Sequence, residues 1–124
     1  MANKKILLVD DDKDLLRGMT ISLRASGYEV ANARDAISAV SSARTAQPDL
    51  VVLDIGLPGG DGFVVMERLS NLPTYIPVIV VSARESGPNR DRALKAGARA
   101  FFQKPIDRTA FMASVREALN QPPQ

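Results

Sequence analysis

The segment VVLDIGLPGGDG, residues 51–62, joins an apolar run to an aspartate and then to a loop with four glycines in seven positions. The run at residues 50–53 is continuously apolar, which is typical of a parallel strand that is buried on both faces. Asp54 would stand at the carboxyl end of that strand. The small residues after Asp54 let another molecule approach its carboxylate closely, and the carbonyl of Gly56 could itself face a metal ion. A plain strand-to-helix turn built around Pro58 is the alternative interpretation.

Four more apolar runs predict the remaining strands. Three of them are continuous, at residues 6–9, 78–81 and 101–102, and a weaker run at 29–33 is typical of an edge strand. Continuous rather than alternating apolar runs favour parallel strands that are covered on both faces.

Helical patterns lie between the strands. The first begins behind Asp12, a good N-cap, and Gly27 is expected to stop it. The others centre on residues 37–44, 63–69, 89–96 and 111–119. The alternation predicts a doubly wound α/β domain with a five-stranded parallel sheet, right-handed crossovers and helices on both faces. We expect a single domain over residues 1–124, with a core at about 4–119 and a tail or linker start at 120–124.

Composition excludes several classes of chemistry. The chain has 124 residues, 16 basic and 14 acidic side chains, no histidine and no cysteine. Disulfides, cysteine–zinc sites, Ser-His-Asp hydrolysis and histidine-based phosphate carriage therefore cannot occur within it. The net charge of +2 is too balanced for a dedicated nucleic-acid binder, so no direct nucleic-acid binding is expected. Neither a membrane span nor a signal peptide is recognisable, which predicts a cytoplasmic protein without a membrane partner.

Polar side chains stand where the predicted strands end. Ligands of parallel α/β sheets gather at the carboxyl ends of the strands, and neighbouring strands lie roughly 4.8 Å apart. Two carboxylates about 5 Å apart repel by roughly 3 kcal/mol at an effective dielectric near 20. A hard cation such as Mg²⁺ would relieve that repulsion, with a lysine as standing counter-charge. The residues at these ends are Asp10, Asp11, Asp54, Ser82, Gln103 and Lys104.

Several residues at or near these strand ends also have a purely structural interpretation. The DDDKD run could complement the N-terminus of a helix, which fits Asp12 better than the two aspartates before it. Ser82 on its own would be a turn residue. Phe101 and Phe102 would both be core residues by default, and we keep that interpretation for one of them.

Taken together, these motifs resemble the receiver domain of bacterial two-component response regulators over about residues 4–119. ILLVDDD is similar to the acidic pocket of that family, and DLVVLDIGLPGGDG is similar to its phosphoacceptor segment. The resemblance implies that Asp54 accepts a phosphoryl group from a sensor histidine kinase or a histidine phosphotransfer protein. It implies Mg²⁺ or Mn²⁺ held by Asp11, Asp54, the carbonyl of Gly56 and, through water, Asp10. It also implies the flavodoxin-like strand order 2-1-3-4-5 of the chemotaxis receiver.

The resemblance extends to the residues that would carry the signal. VIVVSA places Ser82 at the switch hydroxyl, and FFQKP places Lys104 at the invariant lysine and Phe101 at the rotating aromatic, expected to move from exposed to buried. Lys104–Pro105 is predicted to be a cis peptide. Gly56 and Arg84 are expected to modulate the lifetime of the phosphorylated state.

The expected output surface is the fourth helix, fifth strand and fifth helix. Five basic residues against two acidic residues at 84–99 favour an acidic downstream partner or a second copy of the chain. The role implied is a phosphorylated signalling domain in a phosphorelay, which assists its own phosphorylation and slow dephosphorylation, rather than an enzyme. GARAFFQKP lacks the acidic pair and tyrosine usual in the winged-helix members, which weakens the case for dimerisation in their manner.

Three other functions remain as alternatives. A phosphatase of the haloacid dehalogenase type would use Asp10 as nucleophile and Asp12 as acid. It would need an acidic cluster that residues 107–124 do not supply, and it would leave Asp54 without a task. A flavin-binding module would place phosphate against three aspartates, which would repel it. A receiver that only acts as a scaffold is the third alternative.

Overall fold

The computed structural model of the chain describes residues 3–57, 61–83 and 87–120. Strands and helices alternate along it, as the apolar runs predict. The strands are β1 (Lys5–Val9), β2 (Glu29–Ala33), β3 (Leu50–Asp54), β4 (Val78–Ser82) and β5 (Ala100–Gln103). The helices are α1 (Lys13–Ala25), α2 (Ala36–Ala46), α3 (Gly62–Ser70), α4 (Pro88–Lys95) and α5 (Arg108–Asn120). The expected turn at Pro58 and the expected tail at 121–124 lie outside the described residues.

The five described strands form one parallel sheet in the order β2-β1-β3-β4-β5. This order confirms the flavodoxin-like prediction and makes β3 the central strand. The register pairs Asp54 with Val81 across β3 and β4, and Ser82 with Gln103 across β4 and β5. The carboxyl ends of β3, β4 and β5 therefore lie side by side, and the first residues after them face one edge of the sheet.

Two layers of apolar side chains cover the sheet. One face packs against α2, α3 and α4 through residues such as Val65, Met66 and Ala93. The other packs against α1 and α5 through residues such as Leu16 and Phe111. Every residue of β3 and β4 is buried, which explains why their sequences are apolar without alternation.

The first two helices begin at aspartates but end differently. Asp12 accepts hydrogen bonds from the backbone N–H groups of Asp14 and Leu15 and so caps α1, and Gly27, at φ 94°, stops it as predicted. At the end of α2, Gln47 takes a left-handed backbone with φ 49°, a conformation that costs a residue with a Cβ atom. Ile37 on α2 is 75% exposed, so alanines rather than this isoleucine pack α2 onto the sheet.

Helix α4 is held by few contacts. Ala93 is the one buried residue among its eight described residues, and no side chain caps its N-terminus at Gly87. The guanidinium of Arg92 lies over the ring of Phe63 on α3, 3.9 Å from the ring centroid. This cation–π contact joins two helices that lie on the same face of the sheet.

Candidate functional site

Three aspartates converge at the carboxyl ends of β1 and β3. Carboxylate oxygens of Asp10, Asp11 and Asp54 all lie within 4.8 Å of one another. Asp10 and Asp54 are buried, with 3% and 5% of their surface exposed, while Asp11 is open to solvent. The predicted acidic cluster is therefore present, with one member accessible from outside.

Two groups orient the carboxylate of Asp54. The backbone N–H of Gly56 donates a hydrogen bond of 2.8 Å to Asp54 Oδ1. The ammonium of Lys104 donates one of 3.2 Å to Asp54 Oδ2. Because a different donor holds each oxygen, the carboxylate cannot rotate freely, although Asp54 is the last residue of β3 and a loop follows it.

Lys104 is the counter-charge of the cluster, as predicted. Its Nζ lies 2.8 Å from Asp10 Oδ2, closer than it lies to Asp54. The backbone N–H of Lys104 donates to the carbonyl oxygen of Ser82 at 2.8 Å, which fixes the end of β5 against the end of β4. The Lys104–Pro105 bond is cis, which confirms that prediction.

Burial and neighbouring charges shift the pKa values of Asp10 and Lys104. Burial is the main cause that raises the pKa of Asp10, and the charge of Asp54 adds to it, against the opposing effect of Lys104. Burial alone would lower the pKa of Lys104, but Asp10 and Asp54 outweigh it and raise that pKa. The lysine therefore stays charged at neutral pH and offsets one of the three carboxylates.

The donor set fits a hard divalent cation. Carboxylate oxygens at this spacing are ligands of the kind that Mg²⁺ prefers, and one lysine leaves the cluster with an excess of negative charge. At an effective dielectric near 20, a pair of charges 4.8 Å apart repels by about 3.5 kcal/mol. A cation bound by these oxygens would remove that cost.

One of the two expected switch residues does not have the expected exposure. Ser82 is fully buried at the end of β4. Phe101 was expected to start exposed, and that expectation is wrong for this conformation, because only 7% of its surface is exposed and it packs in the layer beneath α2, α3 and α4. Phe102 faces the opposite layer and makes an edge-to-face contact with Phe111, with ring centroids 5.7 Å apart. Arg84 lies outside the described residues.

Sequence reasoning missed the contact that closes the loop between β3 and α3. The backbone N–H of Gly62 donates to the carbonyl oxygen of Ile55 at 3.1 Å. Asp61 caps α3 by accepting from the backbone N–H of Phe63 at 2.9 Å. The aspartate–glycine pair after the loop was a visible signal for a helix start, but the approach to Ile55 depends on how α3 packs.

Comparison with known proteins identifies the family. The family model of the response regulator receiver domain matches residues 6–116. The chain belongs to the response regulator receiver domain family. Receiver domains are signalling domains of two-component systems, in which response regulators partner with histidine kinases. The family supports a phosphoacceptor switch and does not favour the haloacid dehalogenase alternative.

Two curated relatives are each 39% identical to this receiver domain over the aligned segment. It is 39% identical to the transcriptional regulatory protein PrrA of Mycobacterium tuberculosis over 121 residues, which are 98% of this chain and 52% of PrrA. It is also 39% identical to the response regulator PleD of Caulobacter vibrioides, over 90% of this chain and 25% of PleD. The chain thus spans about half the length of PrrA and a quarter of PleD.

Solved receiver structures share the architecture. A receiver domain protein from Methanospirillum hungatei is 30% identical, with a TM-score of 0.90 and coverage of 96% of this chain and 95% of that one. The BeF3-activated N-terminal receiver domain of Klebsiella pneumoniae RstA is 27% identical, with a TM-score of 0.89 over 95% of this chain and 100% of that one. None of the described helices is long and apolar enough to cross a membrane.

Proposed function

We propose that this receiver domain is a phosphoacceptor switch in which Asp54 carries the phosphoryl group. The observation that supports this assignment most strongly is the setting of Asp54. Its buried carboxylate lies in the acidic cluster, one oxygen held by Gly56 and the other by Lys104. Asp10 is also buried, but it lies closer to Lys104 than Asp54 does, and it follows β1 rather than ending the central strand.

The reaction is a transfer between two proteins. An oxygen of the Asp54 carboxylate forms a bond to the phosphorus of a phosphohistidine while the phosphorus–nitrogen bond breaks. The leaving imidazole nitrogen keeps the electron pair of that bond, and Asp54 becomes an acyl phosphate. Since these 124 residues contain no histidine, the phosphohistidine lies outside them, and a histidine kinase or phosphotransfer protein would supply it.

The residues around Asp54 would have two roles, metal binding and contact with the phosphoryl group. Asp10, Asp11, Asp54 and the Gly56 carbonyl would hold Mg²⁺ or Mn²⁺, which supplies positive charge against the transferring phosphoryl oxygens. Lys104 would pair with one phosphoryl oxygen after transfer.

The phosphorylated state would act as the signal. Ser82 would donate a hydrogen bond to a phosphoryl oxygen, and Phe101, already inward in this conformation, would be held there. The surface formed by α4, β5 and α5 would then bind an acidic downstream partner or a second copy of the chain. Gly56 and Arg84 would set how long the acyl phosphate lasts. On this proposal the chain acts in the cytoplasm as a signalling domain and not as an enzyme.

The test is phosphorylation by a small donor. We expect acetyl phosphate and Mg²⁺ to add one phosphoryl group, measured by intact mass, and chelation to prevent it. Asp54→Asn should abolish the addition, while the control Asp14→Asn, an exposed aspartate of α1, should retain it. Phosphorylation that survives in Asp54→Asn would refute the assignment.

A further inference from the structure

Gly62 is the residue where α3 comes closest to the end of the central strand. A Cβ atom placed on Gly62 would lie 2.3 Å from the Cα atom of Ile55. Carbon atoms that are not bonded pack at about 3.5–4.0 Å. The atom in the way belongs to the backbone, so no rotation of a side chain can relieve the overlap. By contrast, a Cβ atom on Gly18 in α1 would meet nothing within 4 Å.

Ile55 is the residue that links the two site groups next to it. It lies between Asp54, the proposed phosphoacceptor, and Gly56, whose N–H orients that carboxylate. Ile55 is fully buried, and its carbonyl oxygen accepts the 3.1 Å hydrogen bond from Gly62. The contact between Ile55 and Gly62 thus closes the loop that presents Asp54 and Gly56.

We propose that Gly62 is a positioning residue of the metal and phosphoryl site. Its missing side chain lets the first turn of α3 lie against the backbone of Ile55, and this contact holds Asp54 and Gly56 in place. The inference rests on the function proposed above. Helix propensity points the other way, because alanine is a better helix former than glycine in α1 and in α3 alike. The reason for glycine at position 62 is therefore the approach to Ile55.

Gly62→Ala should disturb the site through a defined displacement. The new Cβ atom and Ile55 must separate by at least about 1 Å to reach normal contact. If Ile55 moves, the covalent neighbours Asp54 and Gly56 move with it. If α3 moves, the hydrogen bond that closes the loop breaks. Magnesium demands near-ideal octahedral geometry, and loss of supporting contacts around a metal site commonly weakens binding about 10- to 100-fold.

The experiment is a Mg²⁺ titration of wild type, Gly62→Ala and the matched control Gly18→Ala, followed by the amide signals of residues 54–56 in NMR spectra. We expect Gly62→Ala to bind Mg²⁺ at least 10-fold more weakly and to shift these amide signals without metal. Gly18→Ala should bind as the wild type does. Wild-type Mg²⁺ affinity in a folded Gly62→Ala protein would overturn the inference, even if its melting temperature were lower. A wild type that binds no Mg²⁺ and takes no phosphoryl group would instead refute the proposed function.

A second pair of variants loosens the same contact without a steric clash. Asp61→Ala removes the cap that starts α3 beside Gly62, whereas Asp61→Asn retains a capping side chain without the charge. We expect Asp61→Ala to weaken Mg²⁺ binding about 3- to 10-fold and Asp61→Asn to stay within twofold of wild type. Equal affinities in the wild type and both variants would count against the inference. Equally weakened Mg²⁺ binding in both variants would also count against the inference, because the loss of the charge of Asp61 would then explain the weaker binding.

Discussion

Replacing Asp10 by asparagine should stabilise the receiver domain in the absence of a divalent cation. Asp11 and Asp54, within 4.8 Å, each repel a charged Asp10 by at least about 3.5 kcal/mol, and Lys104 at 2.8 Å attracts it by about 6 kcal/mol, at an effective dielectric near 20. These opposing effects nearly cancel, so the cost of burying the charge of Asp10 decides whether asparagine raises or lowers the free energy of unfolding. Asparagine removes the buried charge and leaves Lys104 paired with Asp54. We expect the free energy of unfolding to increase by about 1 kcal/mol and the melting temperature by roughly 4 °C.

In the presence of Mg²⁺, the wild type should instead be more stable than Asp10→Asn. Ligand at 100 times its dissociation constant stabilises a folded protein by about 2.7 kcal/mol, and Asp10→Asn removes a proposed metal ligand and so should lose most of that gain. The assay is urea unfolding followed by circular dichroism, with EDTA and then with Mg²⁺. Asp14→Asn, which removes a charge from the exposed first turn of α1, is the control and should change stability by less than about 0.5 kcal/mol. If Asp10→Asn is less stable than wild type in EDTA, the electrostatic account of the cluster is wrong.

Two further predictions concern α2. Gln47→Gly should raise the free energy of unfolding by about 1 kcal/mol in urea titrations, because glycine adopts the left-handed φ of 49° without strain, and an unchanged midpoint would contradict this. Asp35→Ala should lower the melting temperature at neutral pH, because Asp35 caps α2 through hydrogen bonds from Ser38. The same bonds lower the pKa of Asp35 from 3.8, so its contribution is complete above pH 3.8 and disappears as the pH falls further. The difference in melting temperature between wild type and variant should therefore be larger at pH 7 than at about pH 2.

The sequence was sufficient to predict the residues that share one edge of the sheet. Parallel strands that are buried on both faces have continuous apolar sequences. The end of each apolar run therefore marks the carboxyl end of a strand and identifies the residue that follows it. Asp10, Asp54 and Lys104 could be placed together for this reason, and Asp12 could be recognised as a cap from its position before an apolar repeat. These inferences need only local patterns and the rule that parallel strands end on the same side.

Contacts between distant elements could not be obtained in this way. Phe63 and Arg92 are 29 positions apart, and their stacking depends on how α3 and α4 lie relative to each other. The overlap that a side chain on Gly62 would cause depends on the packing distance of α3. The burial of Phe101 depends on the side chains of the layer it packs into, and the sequence pattern at that position is compatible with a buried or an exposed ring.

The sparse attachment of α4 has a consequence for how the protein can diverge. With Ala93 alone buried among its eight described residues, α4 can exchange exposed side chains without changing the packing against the sheet. Duplicate genes could thus acquire different partners by changing this surface, while the phosphoryl chemistry beneath it stays the same. The Arg92–Phe63 contact limits this freedom at one position, because it couples a surface side chain of α4 to a side chain of the core. Substitutions at Arg92 should therefore be rarer among descendants of this protein than substitutions at its neighbour Arg90.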